Sequence, residues 1–329
     1  MIDLIKNQRL LSFILFLVYL LIIMLAAQWS LTEAQYEIQV YSPFKQIFNH
    51  FFYDMLSLKP WLIFIVKLGL VVWQAALINQ VFRGQFLNQQ HWLTFIIYCL
   101  SILIFHDLSK GLDCFLVSLV FVYIVKVLLE IPGKRKPYRE VFDVFFLNSI
   151  VVLLEPGCFV FYAFLSLIIL LFRPFNIYEF LIGFSGLLIP FVWVFSYYFI
   201  FEKMYLLNDF YLSFISEYNF YIHFEPDVLL IYFFIIIGVV LNFVYVQNKF
   251  FKISVKNRIY FTLQFWLIFF CLVYFFISIN KSQNDLLLLS IPLAFIMSPV
   301  LLSLNRRVMA DLYIIFLLLC SIEIKLDFI

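Results

Sequence analysis

The sequence predicts an all-α fold, a polytopic membrane helix bundle of about eleven transmembrane helices. Three observations predict it. Of 329 residues, 65% are hydrophobic and only 13% charged, where a soluble domain carries about 45–50% and about 25%. Uncharged apolar stretches recur along the whole chain, several of them near the roughly 20 residues that a bilayer crossing needs. Basic residues fall on alternate connecting segments, as the positive-inside rule requires. This composition excludes a soluble globular enzyme and a disordered tail. The net charge of +2 gives no field that would recruit a nucleic acid.

The first span runs from Leu10 to Ala27, behind Lys6 and Arg9 and before Leu25-Ala26-Ala27. Its apolar stretch exceeds the 7–15 residues of a signal-peptide core, so it reads as an uncleaved anchor. The following spans are Trp61–Asn79, Trp92–Phe105, Cys114–Leu129, Val141–Leu154 and Cys158–Phe172. The last five are Phe180–Ile200, Val228–Val246, Tyr260–Ile279, Leu286–Leu304 and Met309–Ile322. The fifth and sixth meet at Glu155-Pro156-Gly157, which leaves open two full crossings or one kinked or re-entrant pair.

With the N-terminus inside, the cytoplasmic segments hold Lys6, Arg9, Arg83, Lys134, Arg135, Lys136, Arg139, Arg173, Lys249, Lys252, Lys256, Arg258, Arg306 and Arg307. The opposite face holds only Lys45, Lys59, Lys110, Lys203, Lys281 and Lys325. The expected topology is therefore N-inside, C-outside. Residues 1–329 read as a single membrane domain, with long external loops at 28–60 and 201–227, neither long enough to bury a core of its own. In the first loop, Phe44, Ile47, Phe48, Phe51, Phe52, Met55 and Leu56 recur at helical spacing, which predicts an amphipathic helix lying in the outer interface.

Eight glycines against 45 phenylalanines, with no GxxxG spacing, argue that close glycine contacts are not the main packing device. The aromatic excess reads as the composition of an AT-rich genome. Cys99, Cys114, Cys158, Cys271 and Cys320 show no metal-ligand spacing and read as small hydrophobes.

Few residues carry chemistry. Lys67 and Gln74, seven apart, share one helix face; they are candidate substrate or phosphate contacts, although Lys67 reads first as a lysine snorkelling toward the interface near Trp61. Lys126 reads as snorkelling too, and Glu155 as a solvated turn residue. The external acids Glu33, Glu37 and Asp107 are the candidate catalytic groups. His106-Asp107 would serve as base and orienter or hold a divalent ion with Glu33 or Glu37, or else is an ordinary polar turn, and His106 and Lys110 are further candidate substrate contacts, Lys110 for a phosphate. No HExxH, GxSxG, Walker or GxGxxG pattern occurs, against zinc proteases, serine hydrolases and ATPases.

From Gln74 to Phe201 the chain resembles an uncharacterised family of polytopic inner-membrane proteins from Bacteroidota. The resemblance rests on Gln74, Leu77-Ile78-Asn79, Pro156, Arg173-Pro174-Phe175 with Glu179, and Gly186-Leu187-Leu188-Ile189-Pro190. It implies location and lineage and no chemistry. Read as physics, Arg173-Pro174-Phe175 stops a helix, and Glu179 caps the next. The layout is also similar to C-type glycosyltransferases that use polyprenyl-phosphate sugars, whose acids lie in the first external loop and the next external turn. Here those places hold Glu33 and Glu37, then Asp107 and Asp113. The adjacent acid pair typical of many such enzymes is absent from the first loop, and the C-terminal soluble domain that many carry is missing.

The expected function is an inner-membrane subunit or scaffold of an envelope complex for secretion, export or surface-polymer assembly. Its partners would be membrane lipids and other envelope membrane proteins, and it would need no cofactor and no metal. The alternative is a polyprenyl-phosphate-sugar-dependent glycosyltransferase on the outer face, which implies that sugar carrier and a divalent metal. A lipid or solute transporter comes third, since neither duplicated halves nor broken helices are evident.

Overall fold

A computed structural model describes residues 16–23, 60–85, 92–105, 112–207, 254–277, 287–303 and 307–326. The described residues form helices and turns and contain no strand. Helix α1 covers residues 16–23, followed by α2 (Pro60–Gln85), α3 (Leu93–Phe105) and α4 (Leu112–Glu130). A 3-10 turn, Ile131–Gly133, leads to α5 (Tyr138–Leu154), and a second, Pro156–Phe159, leads to α6 (Val160–Phe172). Then come α7 (Ile177–Ile200), α8 (Val255–Ile277), α9 (Ser290–Ser303) and α10 (Arg307–Leu326). The expected eighth span and the amphipathic helix of the first loop lie outside the described residues.

Four stretches are long and apolar enough to cross a membrane: Phe64–Gly84, Asp113–Gly133, Ile177–Ile200 and Asn257–Ile277. Leu93–Ile104, Pro156–Phe172, Leu287–Leu302 and Asp311–Ile322 are apolar but shorter. Where spans five and six were left open, α5 and α6 are two separate helices that fold back on each other at Glu155 and the Pro156 turn. Helix α6, with 13 residues, is about 20 Å long.

The bundle is built around α3 and α9. Residues 93–104 and 287–301 are buried throughout, and the two helices pack on one another. A helix apolar on all sides belongs in such a centre. Helices α2 and α10 pack against α3, α4 packs against α2 and α5, and α8 packs against α6 and α9. Hydrogen bonds tie distant parts of the chain: Tyr260 Oη donates to the Phe295 carbonyl (3.1 Å), and Tyr19 Oη lies 3.0 Å from Ser321 Oγ. Phenylalanine fills much of the space between, as in the pairs Phe121–Phe161 (4.4 Å between centroids) and Phe164–Phe270 (5.5 Å). Cys99, Cys158, Cys271 and Cys320 are buried in this packing and Cys114 is half-buried, none of them in a disulfide.

Helix α7 sits at the edge, packed mainly on α5. Here, at one helix pair, glycine does permit a close contact. A Cβ on Gly186 would lie 2.7 Å from the Phe142 carbonyl oxygen and 3.3 Å from the Phe146 nitrogen, and one on Gly183 would lie 3.0 Å from the Phe145 ring. Glycine is what lets the two backbones touch, at a Gly-x-x-Gly spacing that a search for GxxxG passes over. Pro190 lacks the N–H that would reach Gly186 within the helix. One residue on, the Leu187 carbonyl accepts from Ser149 Oγ of α5 (3.0 Å), which in turn accepts from Tyr162 Oη (2.7 Å).

The far end of α7 is capped by a left-handed residue. The Lys203 N–H donates to the Tyr198 carbonyl (2.9 Å), and Glu202 takes φ 54°. That arrangement is a Schellman cap, whose left-handed position favours glycine. Glu202→Gly is expected to stabilise the purified protein by about 0.5–1 kcal/mol, by removing strain and a negative charge from a helix C-terminus. A lowered thermal midpoint would contradict this.

Candidate functional site

Three polar features stand out in the described bundle. The first is a buried knot between helices. Gln74 of α2 donates from Nε2 to the Phe115 carbonyl of α4 (2.5 Å), and its Oε1 accepts from Tyr98 Oη of α3 (2.7 Å). Tyr98 Oη also lies 3.1 Å from Ser118 Oγ of α4 and within reach of Ser290 at the start of α9. Gln74, Tyr98, Ser118 and Ser290 are all fully buried. Each helix supplies isolated polar groups in an apolar run, and together they satisfy one another, which is what buried polar atoms require.

The knot is a cross-brace. Tyr98→Phe would leave Gln74 Oε1 without its donor and is expected to cost about 1–3 kcal/mol. Adding Gln74→Met should cost less than the sum of the two single changes, because the orphaned amide is then gone. Thermal unfolding of the purified protein in one detergent measures both, and strict additivity would contradict the coupling.

The second feature is a cavity of about 20 Å³ lined by Asp113, Cys114, Val117, Leu154, Glu155, Tyr274, Leu287 and Leu288. It lies where α4 and α9 begin and α5 and α8 end. Asp113 is only 4% exposed, and its place in the first turn of α4 suits an acid, since that end of a helix carries partial positive charge. Glu155, at the turn that ends α5, is half-buried. The neighbouring turn is close-packed, as a Cβ on Gly157 would lie 2.9 Å from the Tyr274 ring. Such a volume accommodates about one water molecule between the two carboxyl groups. Among the described residues, no group of three His, Cys, Asp or Glu side chains stands together to hold a metal ion.

The third feature is at the opposite ends of α4 and α5. Arg173, which follows α6, donates to the carbonyls of Ile131 (3.5 Å), Lys134 and Arg135 (2.9 Å), and pairs with Glu179 of α7 at 3.2 Å. Glu179 is 4% exposed. It does not cap α7, as the sequence suggested. That role falls to Asn176, whose side chain accepts from the Tyr178 N–H (3.0 Å). Arg173 thus closes four chain ends into one clamp.

Beside the clamp, Lys134 bridges Glu140 (2.7 Å) and Glu130 (3.2 Å). The lysine hydrogen bond holds the Glu140 carboxyl below its ordinary range, and Glu140 and then Glu130 push the lysine up. A lowered acid stabilises above its unfolded pKa of about 4.3 and loses that contribution as pH falls through the folded value. The raised lysine gives its contribution below about pH 10.4 and loses it only above. Stability from this triad should therefore be flat between about pH 5 and 10 and fall on the acid side. Glu140→Gln should shrink that acid-side loss, read as the thermal midpoint between pH 6 and 3.5. The same loss in both proteins would contradict the assignment.

Of the residues singled out from the sequence, Glu33, Glu37, His106, Asp107 and Lys110 lie outside the described residues. Gln74 is in the knot, serving α3 and α4 and not facing an open site. Lys67 is 1% exposed, so the snorkelling reading is corrected: protein encloses it, about 10 Å along α2 from Gln74. Lys126 is half-buried, with Nζ 5.7 Å from the centre of the Tyr123 ring. Sequence reasoning passed over Tyr98, Ser118 and Ser290 altogether. No family model matches the chain, and no curated protein and no solved structure matches it.

Proposed function

We propose that the chain is a multi-pass protein of the bacterial inner membrane that serves as a non-catalytic subunit or scaffold of a cell-envelope complex for secretion, export or surface-polymer assembly. The finer topology belongs to the same proposal: about eleven spans, N-terminus inside and C-terminus outside, with an interfacial helix in the first external loop. So does kinship with the Bacteroidota membrane family that segment 74–201 resembles.

One observation carries the reading. Helix α7 is held by a narrow glycine face, while Phe180, Phe184, Leu188, Val192, Trp193 and Phe195 stand exposed along it. A long aromatic helix flank fastened at the edge of a solid bundle suits the packing of a further membrane helix. Gln74, Tyr98 and Ser118 of the described interior go into bracing, and the cavity beside them is of water size. The transferase reading keeps one supporting observation, the buried cation Lys67, since an enclosed lysine is a natural partner for a phosphate.

A photo-crosslinking residue at Phe184 or Trp193, compared with one at buried Phe295, tests the proposal in native membranes. The expected result is one protein adduct of defined mass from the two exposed positions and none from Phe295. Lipid adducts alone, together with loss of the cellular phenotype in Glu37→Gln or Asp107→Asn at normal protein levels, would replace the scaffold with a transferase.

A further inference from the structure

We propose that the turn between α4 and α5, together with the turn between α6 and α7, binds the headgroup of an anionic phospholipid. The inference rests on the reading above that this end of the bundle lies at a membrane surface.

The cations at this end sort into two kinds. Lys134 is bridged to Glu130 and Glu140, Arg139 faces Asp143 at 3.6 Å, and Arg173 is paired with Glu179. Arg135 and Lys136 are exposed and have no carboxylate partner among the described residues. Their charges are the surplus of a cluster whose other members are already neutralised. The backbone beneath them is held in place, because Arg173 takes the carbonyls of both Lys134 and Arg135. A site fixed in advance gives up little entropy when a ligand arrives.

The same guanidinium carries an apolar surface to these cations. On either side of Arg173 lie Leu170, Leu171, Phe175 and Tyr178, all exposed, the last two by 68% and 66%. Two unneutralised cations next to exposed leucines and interfacial aromatics match a molecule with an anionic head and acyl chains. A soluble polyanion would use the charges and leave the apolar surface bare. This juxtaposition favours a lipid over free phosphate.

The test is a titration of the full-length protein, in a neutral detergent, with short-chain phosphatidylglycerol or phosphatidylcholine, read by native mass spectrometry. Each cation is expected to contribute about five-fold, so the anionic lipid should bind about 25-fold more tightly than the zwitterionic one. Arg135→Gln with Lys136→Gln should remove the preference. Arg139→Gln, whose charge already serves Asp143, should keep it. An unchanged preference in the double variant would overturn the proposal, and so would full displacement by millimolar inorganic phosphate, which would point to a soluble anion. A reporter fused after Lys136 is read separately: an external signal there would defeat the topology without touching the lipid titration.

Discussion

Replacing Gly186 by leucine is expected to prise α7 from α5 and to cost about 2–4 kcal/mol. The first atom that a Cβ would meet is the Phe142 carbonyl oxygen at 2.7 Å. A backbone oxygen inside a helix cannot swing aside as a side-chain tip can, so the helices must separate. Separation also breaks the bond from Ser149 Oγ to the Leu187 carbonyl. Gly69 and Gly84 of α2 provide the control, because a Cβ on either meets nothing within 4 Å. Their alanine variants should be neutral, or stabilised by up to about 1 kcal/mol through helix propensity. Thermal unfolding in one detergent reads all three. Equal midpoints for Gly186→Leu and Gly69→Ala would remove the close-contact account of α7.

Arg173→Ala is expected to cost about 3–5 kcal/mol, because it strands a buried carboxylate and withdraws donors from three backbone carbonyls. Removing one partner of a buried pair is far worse than removing both. Arg173→Met with Glu179→Met should therefore sit closer to the parent than Arg173→Ala does. Arg173→Lys should rescue little, since one ammonium cannot span the positions that the planar fork reaches. A lysine variant as stable as the parent would mean that charge alone, and not the fork, holds the clamp.

How far the sequence led depends on whether the property is local. Apolar stretches mark helices, and α4, α5 and α6 lie close to where hydropathy puts them. Two starts come earlier than hydropathy puts them. Helix α5 begins at Tyr138 where Val141 was expected, because Arg139 and Glu140 break the apolar run without breaking the helix. Helix α7 begins at Ile177 where Phe180 was expected, because Asn176 supplies a cap that a hydropathy scan does not see.

The readings that failed were tertiary. The distance of Lys67 from a helix end says how far its amine can reach, but burial depends on what packs over it. Tyr98, Ser118 and Ser290 lie on three different helices, so no period in the sequence joins them. Arg173 was legible as a helix stop, yet the carbonyls that it holds are about 40 residues away, and no sequence pattern links that stop to the turn at 131–135. The glycine contact was hidden for the same reason, since its other half is the backbone of α5.

The most direct test of the central proposal is mass spectrometry of the protein gently extracted with its native lipids and neighbours. The account predicts a stoichiometric membrane-protein partner that is lost when bulky charged residues replace Phe184 and Trp193. A co-purifying polyprenyl-phosphate sugar with no protein partner would contradict it and move attention to Lys67, Glu33, Glu37 and Asp107.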